Sequence, residues 1–167
     1  MAEAVFQAHL QQHTSTSPSA QLLVAHIDSA GTDAYHAGAA PDPRTLATLA
    51  ENGLTTYRHQ ARKVRADDFT RFQYVLAMDE ENLEDLVEMR ARVEKNSARK
   101  GGRSGQREGE ALAKVMLFGE FGGRGREVVV DPYYDGGADG FRVAFEQMGR
   151  FSEGLLRVLE TEGSESA

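Results

Sequence analysis

The segment Asp131-Pro132-Tyr133-Tyr134-Asp135-Gly136 sets a carboxylate beside two aromatic rings, directly after the apolar run Val128-Val129-Val130. A carboxyl group in partly apolar surroundings can keep its proton at working pH and pass it to a leaving oxygen, while the tyrosines wall a flat pocket. The same six residues also read as a turn, with Pro132 and Asp135-Gly136 setting the backbone and the tyrosines packing. Taken alone, the turn is the simpler reading.

Other polar residues stand just after short apolar runs, at Asp28-Ser29-Ala30-Gly31, Met78-Asp79 and Phe118-Gly119-Glu120. In open α/β sheets ligands bind beyond the carboxyl ends of the strands, so these three places converge on one rim. Asp and Ser are also ordinary helix caps and turn formers, and for Asp79 the cap is the preferred reading. His9 and His13 have the spacing of a helical metal pair, but no Glu completes a His-Glu-x-x-His arrangement, so a solvated helix end is expected and no metal. His26, inside an apolar run, reads as a core histidine, whereas His59 in His59-Gln60-Ala61-Arg62 could approach the rim. Neither Gly101-Gly102 nor Gly122-Gly123-Arg124-Gly125 follows a strand and opens a helix as a phosphate cradle must. No cysteine occurs in the 167 residues, which excludes disulfides, thiolate metal sites and thiolate nucleophiles supplied by these residues.

The elements that position these groups follow from the apolar pattern. Leu22 to Ile27, Tyr74 to Met78 and Val115 to Phe118 are nearly unbroken apolar runs too short for helices, as suits parallel strands covered on both faces. Helical spacing appears at Ala2, Val5, Phe6 and Leu10 with no capping residue ahead of it, then over Pro43 to Asn52, Asp79 to Glu94 and Asp139 to Leu159. Strands alternating with helices predict a doubly wound α/β fold in a single domain over residues 1–160. Gln11 to Ala20 reads as a loop, residues 95–109 as a basic Gly/Ser-rich surface insertion carrying Lys95, Arg99, Lys100, Arg103 and Arg107, and 161–167 as a disordered acidic tail.

The balance of 19 basic against 26 acidic residues, a net charge of −7, disfavours nucleic acid and anionic membranes as partners. No run reaches the roughly 18 apolar residues of a membrane span. A soluble, cytoplasmic protein without a cofactor is expected.

Six motifs in order resemble the low molecular weight protein tyrosine phosphatase family: Met1-Ala2-Glu3-Ala4-Val5-Phe6, Ile27-Asp28-Ser29-Ala30-Gly31-Thr32, Pro41-Asp42-Pro43-Arg44, His59-Gln60-Ala61-Arg62, Ala77-Met78-Asp79-Glu80 with Asn82-Leu83, and Asp131-Pro132-Tyr133-Tyr134. The resemblance implies a flavodoxin-like parallel sheet with helices on both faces and hydrolysis of phosphotyrosine in a protein substrate through a phosphocysteine intermediate. It implies Asp131 as the general acid, Tyr133 and Tyr134 as the aromatic pair beside it, and Tyr35 as a pocket aromatic. Glu3, Ser29 and His59 match residues that brace the phosphate loop from behind, with Asp28 in the same network. The departure is at the front, where the family's interior strand and Cys-x5-Arg loop have no counterpart. The chain is therefore expected to be inactive, through an incomplete reading of the gene. The alternative is a truncated pseudophosphatase acting as a binding or regulatory protein.

Overall fold

The computed structural model describes residues 1–16, 24–100, 111–132 and 138–165. Its parallel ladder joins β1 (Tyr74–Ala77) to β2 (Lys114–Leu117), in register from Tyr74 opposite Lys114 to Ala77 opposite Leu117. Successive side chains of a strand point to opposite faces. Here Tyr74 and Leu76 join an apolar cluster with Val5, Phe6, Phe118 and Phe151, while Val75 and Ala77 join another with Phe69, Leu86 and Leu117. Both faces are apolar, so both are covered, as the unbroken run predicts.

One cover is built from α1 (Ala2–Thr16), α2 (Pro43–Glu51) and α5 (Ala138–Glu165), the other from the single turn α3 (Asp68–Arg71) and α4 (Glu80–Lys100). Pro43 opens α2 behind the N-cap Asp42, whose side chain accepts the Arg44 amide at 2.8 Å. Asp79 is the cap its position suggested, accepting the Asn82 amide at 2.7 Å ahead of α4. Gly154, which interrupts the apolar stripe of α5, has a packing reason: a Cβ there would overlap the carbonyl oxygen of Phe121, in the 3-10 turn Phe118–Gly122 seated on the helix.

Several expectations are corrected. Of the strand expected over Leu22 to Ile27, Leu22 and Leu23 lie outside the described residues, and Val24–Ile27 belongs to no strand. No backbone hydrogen bond joins it to β1 among the described residues; a cavity of about 410 Å³ lies between them, so its ladder partner is lacking. Residues 95–100 of the expected basic insertion continue α4, since nothing breaks the helix before Gly101-Gly102; 101–110 lie outside the described residues. The acidic tail expected over 161–167 is helical to Glu165, because Glu162 accepts from Tyr74 Oη at 2.8 Å, Gln73 Nε2 at 3.1 Å and Lys114 Nζ at 2.6 Å. Of the loop expected over Gln11 to Ala20, residues 11–16 belong to α1 and 17–20 lie outside the described residues; His13 pairs with Glu160 at 2.7 Å, tying α1 to α5. His26 is exposed rather than in the core, with its ring 5.5 Å from that of Phe72.

Candidate active site

The first turn of α1 carries Glu3, whose side chain meets two other segments of the chain. Glu3 Oε2 accepts from Ser29 Oγ at 2.6 Å and from Tyr57 Oη at 3.2 Å, and lies 3.2 Å from His59 Nδ1. The other ring nitrogen, His59 Nε2, is 3.4 Å from Ser29 Oγ. The Glu3 side chain is only 9% exposed, so these donors replace the water that a carboxylate would otherwise need. Tyr57 and His59, two residues apart on a segment without helix, stack with their rings 6.2 Å apart. Burial, then the neighbouring Glu3 charge, pushes the Tyr57 phenol up to about 12, so it stays protonated and donating at any physiological pH.

Beside this cluster Asp28 Oδ1 accepts the Ser29 amide at 2.8 Å, and Oδ2 accepts Arg62 Nε at 2.8 Å. Arg62 also donates to the buried Asp68 at 2.8 Å, and Asp68 accepts the Arg65 amide at the same distance. Partial burial raises the Asp28 carboxyl, but Arg62 and the Ser29 amide outweigh it and hold the group below the usual carboxylate range. Glu3, Asp28 and His59 bring potential metal-ligand atoms within 4.8 Å of one another. Their carboxylates are already served by Ser29, Tyr57 and Arg62, so the internal hydrogen bonds explain the trio without a cation.

Asp131 is exposed, two residues after Val129, whose amide donates to the Met78 carbonyl at 2.8 Å just past the end of β1. Tyr133 and Tyr134 lie outside the described residues. Tyr35 is 88% exposed, in a turn fastened by Gly38 N to Ala61 O at 2.6 Å and Ala61 N to Ala39 O at 2.9 Å. Glu3, Ser29 and His59 are thus brought into contact, with Asp28 alongside, while the Tyr35 ring stands in solvent outside their cluster.

Sequence reading missed two partners. Arg62 sits inside the quoted His59-Gln60-Ala61-Arg62 motif, so a cation next to a predicted rim was there to be found. Tyr57 could have been found from its two-residue offset from His59, which places both side chains on one side of an extended segment.

Residues 1–101 match the family described as low molecular weight phosphotyrosine protein phosphatase. A fission yeast (Schizosaccharomyces pombe) protein of that description is 39% identical over 95% of this chain and 87% of its own length. Among solved structures, a protein tyrosine phosphatase from Entamoeba histolytica superposes with a TM-score of 0.72 at 26% identity, over 97% of this chain and 88% of its own. The Drosophila arginine phosphatase gives a TM-score of 0.72 at 28% identity, over 94% and 87% of the two chains. The shared architecture is the flavodoxin-like α/β fold, a parallel sheet between layers of helices.

Proposed function

The chain belongs to the low molecular weight phosphotyrosine protein phosphatase family, and we propose that its rim is the substrate side of a phosphotyrosine hydrolase whose nucleophile and phosphate cradle come from a segment preceding Met1. The observation that carries this reading is the cluster of Glu3, Ser29, Tyr57 and His59 at the N-terminal turn of α1. A helix N-terminus favours an anion, and a buried carboxylate with its donors holds that turn in place.

In this reading a cysteine thiolate of the preceding segment attacks phosphorus and the tyrosyl oxygen leaves. Asp131 gives that oxygen its proton, and water then attacks the phosphocysteine, releasing phosphate and the thiolate. Tyr35, Tyr133 and Tyr134 contact the aromatic ring, and Asp28 with Arg62 fixes the Ser29 turn. The substrate is a phosphotyrosine-bearing protein. None of the 167 residues is a cysteine, so by themselves they hydrolyse no aryl phosphate. The reading includes one domain, no cofactor, and a cytoplasmic setting, where a catalytic thiolate stays reduced. No helix among the described residues is long and apolar enough to cross a membrane.

A second reading, a catalytically silent binding protein, is favoured by the two apolar clusters into which these residues pack. Turnover of p-nitrophenyl phosphate separates the two. The chain extended ahead of Met1 by an apolar strand and a Cys-x5-Arg-Ser-Pro turn should hydrolyse it, and the same extension with Cys replaced by Ser should not. An extended, folded chain without turnover would reject the phosphatase reading.

A further inference from the structure

His9 and His13 stand one turn apart on α1, so both imidazoles leave the same side of the helix. Both are half-buried against α5 rather than at a solvated helix end, because α1 continues to Thr16 and Glu160 holds His13. Together with Gln12, Glu153, Leu156 and Arg157 they line a cavity of about 340 Å³ between the two helices.

Gly149 makes room for the first imidazole, since His9 Nε2 lies 3.4 Å from where a Cβ on Gly149 would stand. Among the described residues His9 has no hydrogen-bond partner, so its ring can turn without giving one up. At the second imidazole a carboxylate is already in place, with Glu160 Oε1 2.7 Å from His13 Nε2. Two ligand atoms about 2.0–2.2 Å from a tetrahedral ion stand roughly 3.4 Å apart, so this pair has to open by only about 0.7 Å to admit one. Glu153, two turns before Glu160 on α5, faces the same cavity. The acidic ligand that α1 lacks is thus offered by the neighbouring helix, which spacing along α1 could not disclose.

We propose that His9, His13 and Glu160 form a site for a divalent transition-metal cation of the zinc type, with the fourth position left to Glu153 or a water. The ion staples α1, the helix that carries Glu3, to α5. Imidazole nitrogen with carboxylate oxygen suits zinc, nickel or copper, whereas magnesium and calcium prefer oxygen ligands alone. Arg157 opposes the ion, but its side chain is exposed and its charge is screened. The site shares no residue with the cluster of Glu3, Ser29, Tyr57 and His59 and takes no part in turnover, so the proposal goes beyond the phosphatase reading.

The test titrates zinc chloride into the whole 167-residue chain after treatment with a chelator. One zinc per chain should bind, shifting the imidazole proton resonances of His9 and His13 and leaving those of His26, His36 and His59 in place. At about a hundredfold excess over its dissociation constant zinc should raise the thermal midpoint by about 5–10 °C, and magnesium at the same concentration should not. His9→Gln should keep the midpoint of the metal-free chain and weaken zinc binding at least about tenfold, and Glu160→Gln should weaken it likewise. Absence of zinc binding, binding unchanged by His9→Gln, or resonance shifts at His59 in place of His9 and His13 would overturn the proposal. None of these results bears on whether an extended chain hydrolyses an aryl phosphate.

Discussion

Ser29 and Glu3, 26 residues apart in the chain, meet through a 2.6 Å hydrogen bond in which the serine hydroxyl donates to the carboxylate. The bond joins the start of α1 to the turn after Val24–Ile27, two places that no strand pairing connects among the described residues. It is charge-assisted and mostly buried, the setting in which one hydrogen bond matters most.

Replacing Ser29 by Ala leaves the Glu3 carboxylate short of a donor. A loss of about 1.5–3 kcal/mol is expected, read as a lower urea midpoint at unchanged slope. Tyr57→Phe removes a longer bond, at 3.2 Å, and should cost less.

Tyr57 also predicts a titration. Its phenol is raised to about 12 by burial and by Glu3, above the value of about 10 for an unfolded chain. A raised pKa means that the folded state holds the proton longer, so this contribution is complete below about pH 10 and is lost as pH rises towards 12. Phenolate absorbance should show one tyrosine titrating last, and Tyr57→Phe should abolish that step.

The Asp28 carboxyl is held low by Arg62 and the Ser29 amide, which outweigh its burial, so the sign is opposite. Its stabilisation is present above the unfolded value of about 3.9 and disappears as pH falls through the folded one. Asp28→Asn should therefore be less stable than the parent at neutral pH, with the gap closing in acid. Chemical denaturation at a series of pH values measures that gap.

Gly154→Ala should destabilise by at least about 3 kcal/mol, because the added methyl meets the backbone of Phe121 rather than a side chain that could turn away. At Gly53, where φ is +81° and a Cβ would meet nothing within 4 Å, Ala is expected to cost only the backbone strain. Thermal unfolding of the two variants would rank them.

That glycine shows where sequence reading stops. Apolar period alone placed β1, β2 and α2, because the burial of Tyr74–Ala77 on two faces and the helical spacing over Pro43 to Asn52 are local signals. Ser29 and His59 were legible as rim residues, but Glu3 and its meeting with them were legible only through family resemblance, since residues so far apart carry no mutual spacing. The last turns of α5 were not legible, for they are held by Glu162 reaching Tyr74, a polar contact 88 residues away. Val24–Ile27 looked like a strand because its composition suits one, and no composition reports whether a neighbour is there to pair with.

The central claim, that this rim serves a cysteine-based phosphoryl transfer, is tested most directly by trapping the intermediate. The chain is extended ahead of Met1 with a strand and Cys-x5-Arg turn, mixed with p-nitrophenyl phosphate, quenched within milliseconds and weighed intact. The predicted result is a mass increment of one phosphoryl group on the added cysteine, retained when Asp131 is replaced by Asn and absent from the 167-residue chain. With this activated leaving group Asp131→Asn should change the trapping rate little, whereas on phosphotyrosine it should slow turnover about 10²–10⁴-fold. A folded extended chain that turns over substrate with no phosphocysteine, or one that carries phosphate on the 167-residue portion instead, would contradict it.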